Sequence, residues 1–129
     1  MAADVTFHSI LSSTPEVVTA LGGRMYVDAL PETAKMPAAV ITLVDGIPIQ
    51  GIRHETGWWR SRVQVDVYAS GRGQAEAASA AIKNALRRYR GTVGAVVVDD
   101  LMLDAERTDF SVDSGTRLFS MDFIVIYKE

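Results

Sequence analysis

Apolar and polar residues alternate regularly from residue 58 to residue 68. Successive side chains of an extended strand point to opposite faces, so this alternation predicts a strand with one apolar and one polar face. The apolar face carries Val63, Val65 and Val67, and the polar face carries Arg62, Gln64 and Asp66. We expect the first face to be packed and the second to meet water or a partner.

A different period follows in residues 74–90, where apolar side chains recur every three to four positions. This spacing predicts a helix with one apolar stripe. The stripe consists of Ala75, Ala78, Ile82, Ala85, Leu86 and Tyr89. Its alanines would allow the helix to lie close against a sheet.

The other segments predict two short helices and further strands. Residues 4–12 form a weakly amphipathic helix, and Pro15 begins a second helix that Thr14 can cap and Gly22 or Gly23 can end. The expected further strands are residues 25–27, 38–45, 95–106 and 116–129, with a proline-punctuated loop at 31–37 and a polar loop at 107–115. Together these elements predict an α+β fold, a mostly antiparallel sheet of four to five strands with one long helix packed on one face and short N-terminal helices. We expect one domain over residues 1–129.

Residues 46–57, "GIPIQGIRHETG", interrupt the strand pattern with three glycines and a proline. This composition predicts a long excursion rather than a tight hairpin. Its isoleucines would form an exposed apolar patch if water surrounded them, which favours a contact.

The order strand, Gly71-Arg72-Gly73, helix is also the order found in nucleotide-binding loops. A lone Gly-x-Gly lacks the third glycine of the dinucleotide fingerprint and the Lys-Ser/Thr pair of a P-loop. The segment Ser70–Gly73 could hold an anion on backbone N–H groups, but a simple corner with room for positive φ is the favoured interpretation.

Composition restricts the function further. The 129 residues carry a net charge of −3, which gives no general attraction to nucleic acid or to an anionic membrane. There is no cysteine, so disulfides and thiolate metal sites are excluded. The N-terminal residues are not typical of a signal peptide, and no apolar run approaches the roughly 20 residues of a membrane-spanning helix. We therefore expect a protein without a membrane partner.

No set of residues predicts catalysis or metal binding. The two histidines, His8 and His54, are far apart, and Trp58 stands where a zinc-protease motif would need a second histidine. The densest acidic group is predicted to lie on a strand, where a solvated or inter-subunit face is favoured over a cation site. That group consists of Asp99, Asp100, Asp104 and Glu106. We expect no enzyme activity, no cofactor and no metal.

Several aromatic and basic residues have no evident role in an isolated domain. Trp58 and Trp59 are adjacent on a predicted strand, so one can enter the core while the other stays exposed unless a partner covers it. Arg60 and Arg62 follow on the polar face. A second basic group, Arg87, Arg88 and Arg90, falls in the last predicted helical turn, where complementing the helix dipole and contacting a partner are both open.

Four segments in this order resemble the tail completion proteins of long-tailed bacteriophages, the Gp17-like tail terminator family. The segments are "VVTALGGRMYVDALPETAKMPAAVITLV", "RVQVDVYASGRGQAEAASAAIKNAL", "YRGTVGAVVVDD" and "FSMDFIVIYKE". The resemblance runs from about residue 14 to residue 128, and it rests on the ordered series rather than on any one motif. Residues 46–57 are the least similar stretch.

The resemblance implies a structural virion protein of the tail and neck region, assembled in the host cytoplasm. Six copies would form a ring on the end of the tail tube, stop its polymerisation and join the tail to the head. The implied partners are further copies of the chain, the major tail tube protein and a head-tail connector or neck protein, and the genome would pass through the ring without sequence-specific binding. A head-completion or neck connector protein is the alternative in the same class. A small ligand-binding α+β domain is the alternative from a different class.

The interface candidates combine the residue 46–57 excursion with the polar face of the strand after it. They are Ile47, Ile49, Ile52, Arg53, Trp58, Trp59, Arg60, Arg62 and Asp66. We expect the excursion to cross to the neighbouring subunit or to an adjacent ring, with one tryptophan anchoring its base.

Overall fold

A computed structural model of the chain describes residues 3–112 and 114–129, and Met1, Ala2 and Asp113 lie outside the described residues. The helices in these ranges are α1 (Ala3–Ser12), α2 (Pro15–Leu21) and α3 (Arg72–Leu86). The strands are β1 (Met25–Val27), β2 (Ala38–Gln50), β3 (Glu55–Ala69), β4 (Gly91–Val93), β5 (Val96–Phe110) and β6 (Arg117–Lys128). The strands form a single sheet in the order β1-β2-β3-β6-β5-β4. β1 is parallel to β2, and the other neighbouring strands are antiparallel.

The predicted fold class was wrong in its proportions. The described residues form a mixed, curled sheet of six strands with three short helices, and 48% of them are in strands. A four- to five-stranded, mostly antiparallel sheet under one long helix does not describe this arrangement. β1 lies parallel to β2, with Met25–Val27 opposite Ala39, Val40 and Ile41. Such non-local pairing could not be predicted, because the period of a segment carries no information about which strand lies beside it.

The alternation on β3 is confirmed. Val63, Val65 and Val67 are fully buried on the face that the helices cover. On β6 they pair with Phe123, Met121 and Phe119, and Phe7 of α1 meets Phe123 edge-on at 5.9 Å between ring centroids. Ala78, Ile82 and Leu86 of α3 join the same core. We call this the helix face of the sheet, and the face bearing Arg62, Gln64 and Asp66 the open face.

The long predicted helix ends earlier than its period suggested. Arg87 already has extended ψ, and Arg88 adopts φ 58°. The backbone N–H of Arg88 donates to the carbonyl of Leu101 at 2.6 Å, so the chain leaves the helix to meet β5. Tyr89 therefore packs against the core from a turn and not from the helix.

Two predicted loops are strands. Residues 46–50 continue β2 and residues 55–57 begin β3, so the predicted long excursion is a hairpin closed by residues 51–54. Likewise residues 107–110 of the predicted polar loop belong to β5 and pair with β6. Register irregularities in the β2–β3 hairpin break simple alternation, which is why the pattern concealed this part of β2. Residues 107–110 pair with β6 without a register shift, and their mostly polar, exposed side chains concealed the strand.

The turns before α2 and before α3 differ from the prediction, whereas the turn that ends α2 agrees with it. Thr14 holds the N-cap position of α2, but its hydroxyl donates to the carbonyl of Ile10 at 2.9 Å rather than capping the helix. Gly22 ends α2 in the left-handed region at φ 60°, as predicted. Gly71 before α3 is extended at φ −145°, so the predicted corner between β3 and α3 is present but does not use the positive φ that its glycines would allow.

Candidate assembly surface

We define the end of the β2–β3 hairpin, residues 44–60, as the arm, and its residues 49–57 extend beyond the last pairing of β3 with β6. Pairing between β3 and β6 stops, in the described part of the chain, at Trp58 opposite Lys128. Past that point the two arm strands hold each other. The Thr56 hydroxyl donates to the carbonyl of Ile49 at 2.7 Å, and the Gly51 N–H donates to the carbonyl of His54 at 2.7 Å. The arm is therefore an ordered two-stranded ribbon.

Apolar side chains on this ribbon face water. Val44 is 50% exposed, Ile47 51%, Ile49 37% and Ile52 103%. Ile49 and Ile52 lie in the two-stranded part of the arm, which has too little structure around it to cover both of its faces. Val44 and Ile47 lie earlier on β2, where β3 still pairs with β6. Adjacent exposed aliphatic residues mark a contact surface more often than single scattered ones do.

The two tryptophans at the base of the arm take opposite faces, as the alternation predicted. Trp59 lies on the helix face and packs against the core. Trp58 is half-buried on the open face. Trp59 thus ties the arm to the domain, and Trp58 leaves part of its ring available beside the exposed isoleucines.

The basic candidates divide into two kinds. Arg53 at the turn and Arg60 opposite Ile47 are exposed. Arg62 instead donates to Asp104 at 2.8 Å and lies 3.7 Å from Asp122, and the bond to Asp104 raises its pKa above the ordinary arginine value. Arg62 therefore has partners within its own chain.

Asp66 also belongs to an internal network on the open face. Its carboxylate accepts from the Ser120 hydroxyl at 2.6 Å and from the Gln64 amide at 2.9 and 3.0 Å. The Ser120 bond connects β6 to β3, and the Gln64 bonds lie within β3. The structure thus separates the nine candidates into three groups: two internally bonded residues, Arg62 and Asp66, two partly buried tryptophans, and five exposed residues of the arm, Ile47, Ile49, Ile52, Arg53 and Arg60.

The acidic residues of β5 pair with basic residues around them. Lys83 of α3 meets Glu106 at 2.9 Å, Arg90 meets Asp99 at 3.5 Å, and Arg88 bonds Asp100. Arg88 and Arg90 lie beyond the helix, so their main electrostatic partners are these carboxylates rather than the helix dipole. Exposed pairs of this kind contribute little to stability.

In the described ranges, neither the histidine and acidic side chains nor the Gly71–Gly73 corner forms a recognisable catalytic site. No group of three or more histidine or acidic side chains is positioned there to hold a metal ion. His8 bonds the carbonyl of Met25 from α1, whereas His54 lies exposed at the arm turn. Beside the Gly71–Gly73 corner, Arg72 is paired with Glu76 at 2.8 Å.

A groove at the opposite end of the sheet was missed by sequence reasoning. We call it the end groove; it encloses about 330 Å³. Its apolar lining is Leu30, Met36, Tyr68, Phe110 and Leu118, and its polar rim is Asp109, Ser111, Ser114 and Thr116. The signal available in the sequence was Phe110 and Val112, two large apolar residues in a stretch otherwise typical of a polar loop.

Phe110 and Tyr68 give the end groove an exposed aromatic ring and a hydrogen-bonding hydroxyl. Phe110 is 45% exposed, and the Arg117 guanidinium lies 4.5 Å from the centre of its ring on the helix-face side. Burial, and then the Asp66 carboxylate, raise the pKa of Tyr68 above its ordinary value. The Tyr68 hydroxyl therefore stays protonated at neutral pH and can donate a hydrogen bond.

In the described ranges, no helix has both the length and the apolar character to cross a bilayer. Residues 7–128 match the family described as tail completion protein gp17. The fold is similar to a chain of the virion of a native gene transfer agent particle, with a TM-score of 0.77 over 99% of this chain and 97% of that chain. The sequence identity is 16%, so this likeness concerns the fold alone. No curated protein matches the chain in sequence. Because the family match covers nearly the whole chain, the protein belongs to the tail completion protein gp17 family and is a structural protein of the virion tail.

Proposed function

We propose that the chain is a tail terminator acting as a single domain over residues 1–129. Six copies form a ring on the end of the finished tail tube, contact the major tail tube protein, stop further polymerisation and offer a surface to the head-tail connector. Family membership supports a role in completing the tail. The observation that carries the assembly proposal is the ordered arm, whose isoleucines the monomer leaves exposed.

A ring built from identical subunits in head-to-tail contact needs two different surfaces on each subunit. The arm supplies one of them, since its apolar side chains are presented away from the sheet. Covering Ile47, Ile49 and Ile52 would remove aliphatic surface from water, which favours association by roughly 25 cal/mol per Å² before the entropic cost of association is subtracted.

The genome passes through the ring in this proposal. A net charge of −3 supports passage without tight binding, because affinity for duplex DNA comes mainly from basic side chains that neutralise phosphates. The ion pairs of β5 further reduce the number of basic side chains left for such contacts.

Particles that lack this protein provide the test. We expect tails that grow past their normal length and do not join heads, and restoration by the wild-type chain supplied in trans. A reconstruction of the restored particles should show six copies at the head-proximal end of the tube. Tails of normal length that fail to join heads would instead indicate a neck connector protein. Particles without this chain at the neck would contradict the proposal.

A further inference from the structure

We propose that the tip of the arm of one copy docks in the end groove of the next copy. This inference rests on the proposed function, because it supplies the second surface that the ring requires. The occupant of the groove is a second copy of this chain, through residues 51–54 and the isoleucines beside them.

The positions of the two surfaces make the contact intermolecular. β3 runs from Glu55 in the arm to Tyr68 and Ala69 at the other end, so the arm and the end groove lie at opposite ends of the same strand. A strand residue advances the chain by about 3.3 Å, so 13 residues from Glu55 to Tyr68 separate the two by roughly 40 Å. An arm cannot reach its own groove. The resulting contact joins two different patches, which is the heterologous geometry that closes into rings.

The two surfaces are complementary in apolar character. Ile52 at the arm turn is 103% exposed. The groove presents Tyr68 and Leu118 from the open face, Leu30 and Met36 on one side and Phe110 on the other. An aliphatic side chain entering it would leave water at the same time as the exposed part of Phe110. Buried central anchors of this kind carry most of the free energy of an interface.

The two surfaces are also complementary in charge. The arm carries Arg53 at its turn and Arg60 on its open face, both exposed. The groove carries Asp109 at its rim. Asp109 and Phe110 also line a neighbouring cleft together with Arg72 and Arg117, and the Arg117 guanidinium lies 4.5 Å from the centre of the Phe110 ring. An incoming Arg53 would meet Asp109 from the side of Tyr68 and Leu118, two groove residues that do not line that cleft.

Pairing through the edge of β2 is the competing way for the arm to contact a partner. Among the described strands β1 covers β2 from Ala39 to Ile41, and the edge beyond has no neighbouring strand. That edge is interrupted by a register shift between Leu43 and Asp45, and Pro48 has no N–H to donate. Bulges and prolines are the features that block strand addition at exposed edges. Side chains at the tip are therefore the better contact.

Cysteine cross-linking tests the contact directly, because the natural chain has no cysteine. The test variant combines Ile52→Cys with Phe110→Cys in the full-length chain, supplied in trans to particles that lack the protein. We expect oxidation of purified tails to produce a ladder of linked chains up to the size of the ring, and reduction to dissolve it. The control combines Ile52→Cys with Val5→Cys, since Val5 is 58% exposed but lies on α1. The control should stay monomeric on a denaturing gel.

A charge exchange gives a second, non-covalent readout. Arg53→Glu and Asp109→Arg should each lower the titre of complemented particles by about tenfold or more, because each places like charges together. The double variant should recover most of the titre. No recovery, or a chain that is present on tails but does not cross-link through Ile52→Cys and Phe110→Cys, overturns the arm-to-groove contact and leaves the terminator role standing. A wild-type chain absent from tails overturns both.

Discussion

The contribution of a single side chain on β3 depends on the face it occupies. Val65 lies between Ile41 of β2 and Met121 of β6, and all three are at most 1% exposed. Arg62, the residue immediately before Val63 in the same alternation, lies on the opposite face and bonds the carboxylate of Asp104, which is partly exposed to water. Substitutions at these neighbouring positions should therefore change the free energy of unfolding by very different amounts.

Val65→Asp should unfold the protein. An unpaired carboxylate in this core costs several kcal/mol, a large part of the roughly 5–15 kcal/mol that stabilises a domain. Circular dichroism and a denaturant titration would measure the loss of the folded state. Val5→Asp is the matched control, because Val5 is exposed in the first turn of α1, and it should fold normally. A cooperative transition at the wild-type midpoint for Val65→Asp would contradict the assignment of faces.

Asp104→Asn should lower the free energy of unfolding by less than about 1 kcal/mol. The Asp104 side chain is 47% exposed and that of Arg62 30%, and exposed ion pairs are screened by water and salt. Arg62 also keeps Asp122 as a neighbour. Asp66→Ala should cost more, about 1–3 kcal/mol, since it leaves the Ser120 hydroxyl and the Gln64 amide without their acceptor. Urea unfolding of both variants checks the order, and an equal loss would contradict it.

At the scale of elements, the arm combines local order with exposed apolar surface. Its backbone is held by cross-strand bonds, whereas its isoleucines pack against little of their own chain. Folding and assembly should therefore be separable there by substitution. Deleting residues 47–55 would remove paired strand and not a free loop, so substitution of side chains is the more selective change.

Replacing Ile47, Ile49 and Ile52 together by threonine should leave a folded monomer that no longer completes tails. Threonine keeps the β-branch that suits a strand and removes aliphatic surface. We expect the free energy of unfolding to change by less than about 1 kcal/mol, as for other exposed positions, and the complemented titre to fall by at least about tenfold. The control is Val5→Thr with Val18→Thr, which alters exposed valines on the helices. Wild-type titre for the triple variant would show that the arm is not the interface, and the open face would then be the remaining candidate.

At the scale of the whole molecule, the helices cover one face of a curled sheet and leave an arm at one end and a groove at the other. The corner at Gly71–Gly73 remains the place where a small anion could approach backbone N–H groups, because Gly71 caps α3 without a side-chain bond.

We expect no stoichiometric binding of ATP or GTP at this corner. The described chain offers Arg72 there, but that guanidinium is already paired with Glu76, and a lone Gly-x-Gly lacks the lysine that holds phosphates in a P-loop. Isothermal titration calorimetry would measure the binding. Gly73→Trp supplies the comparison, since a side chain at Gly73 meets open space and should not disturb the fold. Saturable binding that this substitution abolishes would restore the phosphate-loop hypothesis.

Much of the fold follows from the sequence alone. Three local features were predicted: the alternation on β3, the apolar stripe of α3 and the glycine that ends α2. Each depends only on residues that are close together in the sequence. The family resemblance was likewise visible as an ordered series of segments, and the family match over residues 7–128 confirms it. Among the site residues, the opposite faces of Trp58 and Trp59 could be predicted, because successive side chains of a strand alternate. The isoleucines were predicted to make a contact from the composition of an expected loop, and the structure places Ile47 and Ile49 on β2 instead.

The tertiary structure decided what depends on partners distant in the chain. Whether residues 46–57 and 107–110 are loops or strands is set by the strand opposite. In β2 a register shift between Pro48 and Gln50 lets the pairing continue past glycine and proline. The internal bonds of Arg62 and Asp66 exist because β6 and β5 bring Asp122, Ser120 and Asp104 beside them. The end groove gathers Met36, Tyr68, Phe110 and Leu118 from four separate segments. Periodicity reports which face a residue takes, but only the folded sheet determines which residue lies next to it.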